Sequence, residues 1–161
     1  MKNKGNFKVA IIGLGYVGLP LYFLCNNKKI DVKGFDIDKS KINNLYSNIT
    51  QNSDILPKEL RRIKTKKFYS MDQIDLIRDR NFIIFCLPTP LTKSNKPDLS
   101  YIENSIKKIK DKCKSRTIFV IESTVYPGAT REIFSKYQFK NNKKINFVFS
   151  SERLSPGQTD K

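Results

Sequence analysis

Short apolar runs alternate along the chain with stretches in which apolar residues recur at helical spacing. Residues 7–12 form a β-rich run that reads as a buried first strand, and Gly13 breaks it. A helix is predicted over 16–26, with Pro20 in its early turns, where proline costs at most one backbone bond. A second strand spans 30–35. Asp38 is placed to cap a helix carrying Ile42, Leu45 and Ile49 on one side. A further helix over 53–63, with Pro57 near its start, and a short strand over 67–69 follow. Ser70 and Gln73 have capping-box spacing and predict another helix start. The run over 81–87 is apolar at five consecutive positions, as in a strand covered on both faces. After a polar loop over 91–97, Ser100 and Glu103 repeat the capping-box spacing ahead of an Ile102, Ile106, Ile109 stripe. Strands over 117–121 and 145–149 flank a helix over 129–137.

Strands alternating with helices imply parallel βαβ units. The expected fold is α/β: a doubly wound parallel sheet of about six strands in three α/β/α layers, the Rossmann arrangement. The chain has 161 residues, 39% of them hydrophobic, which suits one domain with its own core. We read residues 1–150 as that domain and 151–161 as the start of a segment leading elsewhere.

Composition narrows the chemistry. There is no histidine, and Cys25, Cys86 and Cys113 are scattered without a Cys-x-x-Cys pair. Zinc sites and His-dependent nucleophile pairs are excluded from this chain alone, and no metal is expected. Reduced thiols and a cytoplasmic location are the default expectation. Lys2, Lys4 and Lys8 precede an apolar run, but Gly13, Gly15 and Gly18 interrupt it and Pro20 follows, so neither a signal peptide nor a membrane span is expected. The net charge is +16, with lysine and arginine spread along the chain rather than gathered in one stripe. That spread reads as compositional bias, not a nucleic-acid interface, and also favours anionic nucleotides.

Gly13-Leu14-Gly15-Tyr16-Val17-Gly18 fits G-x-G-x-x-G, with a strand entering and a helix leaving. Gly13 allows the tight turn, Gly15 lets backbone approach a pyrophosphate, and Gly18 lets the helix pack on the sheet. Tyr16 and Val17 lie at the helix start, whose free N–H groups attract phosphate. Asp36 ends the second strand, where a carboxylate accepts both adenosine ribose hydroxyls and repels a 2′-phosphate, favouring NAD over NADP. Lys41, or failing that Lys39, partly offsets that repulsion. The bland alternative is a tight turn with Asp36 as a turn cap.

Four further segments carry a specific resemblance: Gly15-Tyr16-Val17-Gly18-Leu19-Pro20, Leu87-Pro88-Thr89-Pro90, Glu122-Ser123-Thr124-Val125-Tyr126-Pro127-Gly128 and Ser151-Glu152-Arg153-Leu154-Ser155-Pro156-Gly157. In this order and spacing the chain resembles the N-terminal, NAD-binding domain of the UDP-glucose/GDP-mannose dehydrogenase family. Pro97-Asp98-Leu99-Ser100 and Tyr126-Pro127-Gly128 look most like the bacterial UDP-N-acetylhexosamine 6-dehydrogenases. The resemblance implies a four-electron oxidation of a sugar C6 alcohol to a carboxylate with two NAD, in polysaccharide, capsule or O-antigen precursor synthesis. It implies a UDP-sugar substrate and homo-oligomers in longer relatives, with this chain alone a monomer. It also implies that Thr124 and Glu152 position water and assist proton transfer, that Pro88 and Thr89 wall the nicotinamide, and that Arg153 faces substrate phosphate or carboxylate. On residues alone, Thr124 equally bonds a loop, Glu152 pairs with Arg153 or a lysine, and Pro88 to Pro90 form a rigid turn.

Two departures from the family pattern stand out. Ser150-Ser151-Glu152-Arg153 replaces the family's Ser-Pro-Glu-Arg, loosening the turn before Glu152. The nucleophilic cysteine in its Gly-Gly-x-Cys-x-Pro context is not in these residues, and Cys25 and Cys86, read as buried, and Cys113, near a helix end, are no substitutes. The chain is therefore expected to bind NAD without completing turnover. The competing readings are a non-catalytic dinucleotide-binding or regulatory module and, from a different class, a nucleic-acid binder.

Overall fold

The computed structural model of the chain describes residues 7–53, 55–137 and 144–150. Six parallel strands form one sheet in the order β3-β2-β1-β4-β5-β6. They are β1 Lys8–Ile12, β2 Asp31–Asp36, β3 Phe68–Ser70, β4 Phe82–Phe85, β5 Ile118–Ile121 and β6 Asn146–Phe149. The helices are α1 Gly18–Asn27, α2 Lys39–Tyr46, α3 Pro57–Arg62, α4 Ser100–Ile109 and α5 Ala129–Ser135. The chain builds β1, β2 and β3 outward in one direction, then returns to lay β4 on the other side of β1. This is the doubly wound order, and it opens a crevice above β1 and β4.

Strand alternation sends neighbouring side chains to opposite faces and so makes two cores. Val9 and Ile11 of β1 pack with Leu19, Tyr22 and Phe23 of α1 and with Ile42 and Leu45 of α2. Ala10 and Ile12 point the other way, into a cluster with Phe85, Phe119 and the Ile102, Ile106, Ile109 stripe of α4. The sheet thus lies between two helical layers, as expected. Among the described residues no helix is long and apolar enough to cross a membrane.

Four local expectations are corrected. Helix α2 stops at Tyr46, because Asn48 adopts the left-handed conformation (φ 62°) and the Ile49 amide bonds back to the Asn44 carbonyl at 2.8 Å. Ile49 is thereby turned out, 54% exposed, instead of completing the buried stripe. The element after β3 is a 3-10 helix, Met71–Ile77, kinked at Gln73, although Gln73 Oε1 does accept the Ser70 N–H at 3.3 Å. The Ser100–Glu103 capping box does not form: Asp98 Oδ1 accepts the Ser100 N–H at 2.9 Å, and Glu103 instead takes the Lys136 ammonium at 2.8 Å. Cys86 lies one residue beyond β4 and is half-buried rather than sealed in the strand.

At the N-terminal ends of the strands, opposite the crevice, Arg80 is 1% exposed. Its Nη2 pairs with Asp31 at 2.9 Å and Asp79 at 2.7 Å, and its Nη1 donates to the Asp31 carbonyl at 3.1 Å. Lys8 reaches Asp79 at 2.9 Å and Lys67 reaches Asp31 at 2.6 Å. The network ties the starts of β1 and β2 and the Lys67 run before β3 to the loop before β4. The Arg80 hydrogen bonds hold the Asp79 carboxyl far below the usual range. Burial would raise Asp31, but the hydrogen bonds from Lys67 and Arg80 together outweigh it and leave it lowered.

Arg80→Ala leaves a gap in a sealed place and removes its hydrogen bonds, while Asp31 and Asp79 keep their lysines, so it should lower the unfolding free energy by about 2–3 kcal/mol in urea titrations. A loss below about 1 kcal/mol, the surface-pair range, would show that the lysines compensate. Because both aspartates have lowered folded-state pKa values, their contribution is whole above the unfolded value of about 3.9 and disappears as pH falls below it. Urea midpoints measured between neutral pH and strong acid should therefore drop on the acid side, with a shallower drop in Asp79→Asn.

Candidate functional site

The turn between β1 and α1 is built by contact. The Gly13 N–H donates to the Phe35 carbonyl at 2.7 Å, with φ at 94°, and a Cβ there would lie 2.3 Å from the Cys86 carbonyl oxygen. A Cβ on Gly18 would lie 1.9 Å from the Gly13 oxygen, so no larger residue lets α1 start so close. Gly15 meets nothing within 4 Å: its free side looks into open space. The first backbone bond of the helical turn runs from the Leu19 N–H to the Gly15 carbonyl at 3.1 Å, which leaves the preceding amides at the head of the helix dipole. Tyr16 is 58% exposed above that turn, and Val17 occupies the N-cap position.

Asp36 ends β2 and is 5% exposed. Oδ2 accepts the Leu14 N–H at 2.9 Å and the Lys41 ammonium at 2.9 Å, while Oδ1 accepts the Asp38 N–H at 3.0 Å. The carboxylate therefore locks the glycine turn to β2 and is already partnered by a cation. Of the two lysines considered as its offset, Lys41 fills that place, while Lys39 pairs with Asp72 at 2.6 Å.

A cleft of about 650 Å³ runs above the C-terminal ends of β1, β2 and β4. Gly13, Gly15, Asp36, Lys41 and Pro88 line one part of it. The opposite wall is α4, through Tyr101, Asn104, Ser105 and Lys108. A smaller cavity of about 210 Å³ adjoins it beyond Lys41, bounded by Tyr16, Asn44 and the 49–52 loop.

The loops after β4 and β5 are latched together. Thr89 Oγ1 donates to the Thr124 carbonyl at 2.7 Å, and Ser123 Oγ accepts the Leu87 N–H at 2.9 Å. Thr124 itself is exposed. The Ser150 N–H donates to the Ile121 carbonyl at 3.0 Å, which brings the end of β6 beside this loop pair. Glu152 and Arg153 lie outside the described residues.

Three contributors were missed by sequence reasoning. Asn52, 7% exposed, directs its side-chain amide at the Gly15 and Tyr16 carbonyls, 3.4 Å from each, bracing the turn from outside. Nothing in its local pattern signals this. Ser123 stood inside a quoted motif, but its hydroxyl partner is 36 residues away. The α4 wall was legible: 101, 104 and 108 fall at helical spacing on one flank, with the buried Ser105 between them and the isoleucine stripe.

A parallel sheet with a glycine turn at the first helix, and an acidic residue closing the neighbouring strand, defines a dinucleotide-binding Rossmann domain. Residues 7–161 match the UDP-glucose/GDP-mannose dehydrogenase family, NAD binding domain, and the chain belongs to that family. It is 38% identical over 157 residues to Protein CapL of Staphylococcus aureus, covering 94% of this chain and 36% of that protein. It is 36% identical over 155 residues to a UDP-N-acetyl-D-glucosamine 6-dehydrogenase of Salmonella typhi, covering 93% and 36%. A solved UDP-D-ManNAc dehydrogenase from Pyrococcus horikoshii superposes with a TM-score of 0.79 at 27% identity, over 94% of this chain and 37% of that one. The chain thus spans a little over a third of the length of these relatives.

The glycine geometry separates folding from binding. Gly18→Ala should lower stability by more than about 2 kcal/mol, since backbone oxygen cannot yield to the new methyl. Gly15→Ala should leave the urea midpoint near that of the parent, within about 0.5 kcal/mol. Equal losses in the two variants would contradict this account of the turn.

Proposed function

We propose that this chain is the NAD-binding part of a nucleotide-sugar 6-dehydrogenase, oxidising the C6 alcohol of a UDP-hexose or UDP-N-acetylhexosamine to the uronic acid. The observation that carries the proposal is the cleft itself: an open-sided Gly15 at a helix start, with Asp36 hydrogen-bonded to the same turn. These residues fit NAD. The head of α1 suits a diphosphate, and Asp36 suits the diol of the adenosine ribose once it exchanges its Asp38 or Lys41 bond for hydroxyl donors. When bound, NAD accepts hydride from the sugar carbon.

The protein's own groups orient and exclude. The Gly15, Tyr16 and Val17 amides donate to the diphosphate, and Lys41 stays beside the ribose. Pro88 and Thr89 wall the nicotinamide side, and the Thr89 hydroxyl fixes the loop that presents Thr124. Thr124 holds water near the reacting carbon, Glu152 exchanges the proton, and Arg153 meets a substrate anion. These three roles rest on the family resemblance of their motifs. The proposed setting is the cytoplasm, in synthesis of polysaccharide precursors, with the longer enzyme a homo-oligomer.

Calorimetric titration with NAD tests the binding half. The chain should bind NAD, and Asp36→Ala should weaken it by about ten- to a hundredfold, the worth of hydrogen bonds to a charged group. Folded protein with no NAD affinity would overturn the reading. With NAD and a UDP-N-acetylhexosamine the purified chain should yield no uronic acid, because these 161 residues contain no Gly-Gly-x-Cys-x-Pro segment; measurable product would refute that half.

A further inference from the structure

We propose that Asp38 is a second cofactor-selecting carboxylate, which excludes the 2′-phosphate of NADP more directly than Asp36 does. The inference rests on the NAD reading above. Asp36 is a weak discriminator by itself, because Lys41 sits 2.9 Å from its Oδ2 and offsets its charge. A neutralised carboxylate repels a phosphate far less than a bare one.

Asp38 differs in three respects. It is exposed, it lines both the main cleft and the adjoining cavity, and no lysine or arginine pairs with it among the described residues. It lies two residues past Asp36, and its own N–H is held by Asp36 Oδ1 at 3.0 Å. A phosphate on the ribose hydroxyl facing Asp36 must therefore emerge against this rim.

Asp38 also occupies the place a phosphate would use. Its Oδ1 accepts the Lys41 N–H at 3.1 Å, capping α2. Amides at a helix start are the natural receiver for a phosphate at this edge, and here a carboxylate already holds one of them. The nearby cations are committed elsewhere: Lys41 to Asp36, and Lys39 to Asp72 at 2.6 Å. Of the charged groups that line this edge of the cleft, Asp36 and Asp38 stand against Lys41. Lys107 and Lys108 line the cleft from α4, on the opposite wall, and neither is ion-paired with Asp38.

The test is the ratio of NADP to NAD affinity, by titration calorimetry at fixed ionic strength, in the parent chain, Asp38→Asn and Lys41→Met. Asparagine caps a helix as well as aspartate does and keeps the shape while removing the charge. If Asp38→Asn melts early, Asp38→Ser serves in its place. The parent should prefer NAD. Asp38→Asn should shift the ratio toward NADP by about tenfold, and Lys41→Met should shift it the other way. A fold defect would weaken both ligands together and leave the ratio still. An unchanged ratio in the cap variants of a parent that binds NAD would overturn the role of Asp38. A parent that binds neither dinucleotide would instead overturn the functional reading beneath it.

Discussion

Helix α1 touches the turn before it with no room for a side chain. The Gly18 Cα faces the Gly13 carbonyl so closely that even a methyl group would overlap it. Everything at the site follows from that approach. It aims the head of the helix at the sheet's upper edge, and it keeps Leu14 where its amide reaches Asp36. The Asn52 amide braces the same peptides from the far side. The turn is therefore shaped before any ligand arrives, so a bound dinucleotide need not order the loop, and more of the contact energy appears as affinity.

Charge is organised differently at the two ends of the strands. At the lower end, a sealed Arg80 and two half-buried lysines share two aspartates, each aspartate meeting both the guanidinium and one ammonium. At the upper end one lysine, Lys41, pairs with the buried Asp36, and Asp38 stands open to solvent beside it. A high overall positive charge thus coexists with an acidic rim at one edge of the crevice. Overall balance is a poor guide to the potential at a particular site, because pairing is local.

Much of the architecture was legible because the strands advertise themselves. The apolar run around Phe82 to Phe85 can only be covered on both faces, and the glycine spacing announces the turn. What failed were the ends. Helix α2 obeys the left-handed Asn48 rather than the reach of its isoleucines, and the Ser100–Glu103 spacing lost its glutamate to Lys136, 33 residues away. Local spacing predicts partners only when no distant partner competes. The same holds at the site. Asp36 was found by its distance from the glycines, whereas its occupancy by Leu14, Lys41 and Asp38 depended on three elements meeting. The chain segment carrying Glu152 and Arg153 stays a matter of motif.

The Arg80 anchor has a consequence for how such a domain diversifies. The Arg80 ion-pair network lies at one pole of the sheet and the dinucleotide cleft at the other, with the strand length between them. Substitutions that retune the recognition pole share no partners with the anchor, so their costs add to its contribution without eroding it. A lineage built this way can drift in ligand preference while its scaffold stays constant, which is a physical route to many relatives on one frame.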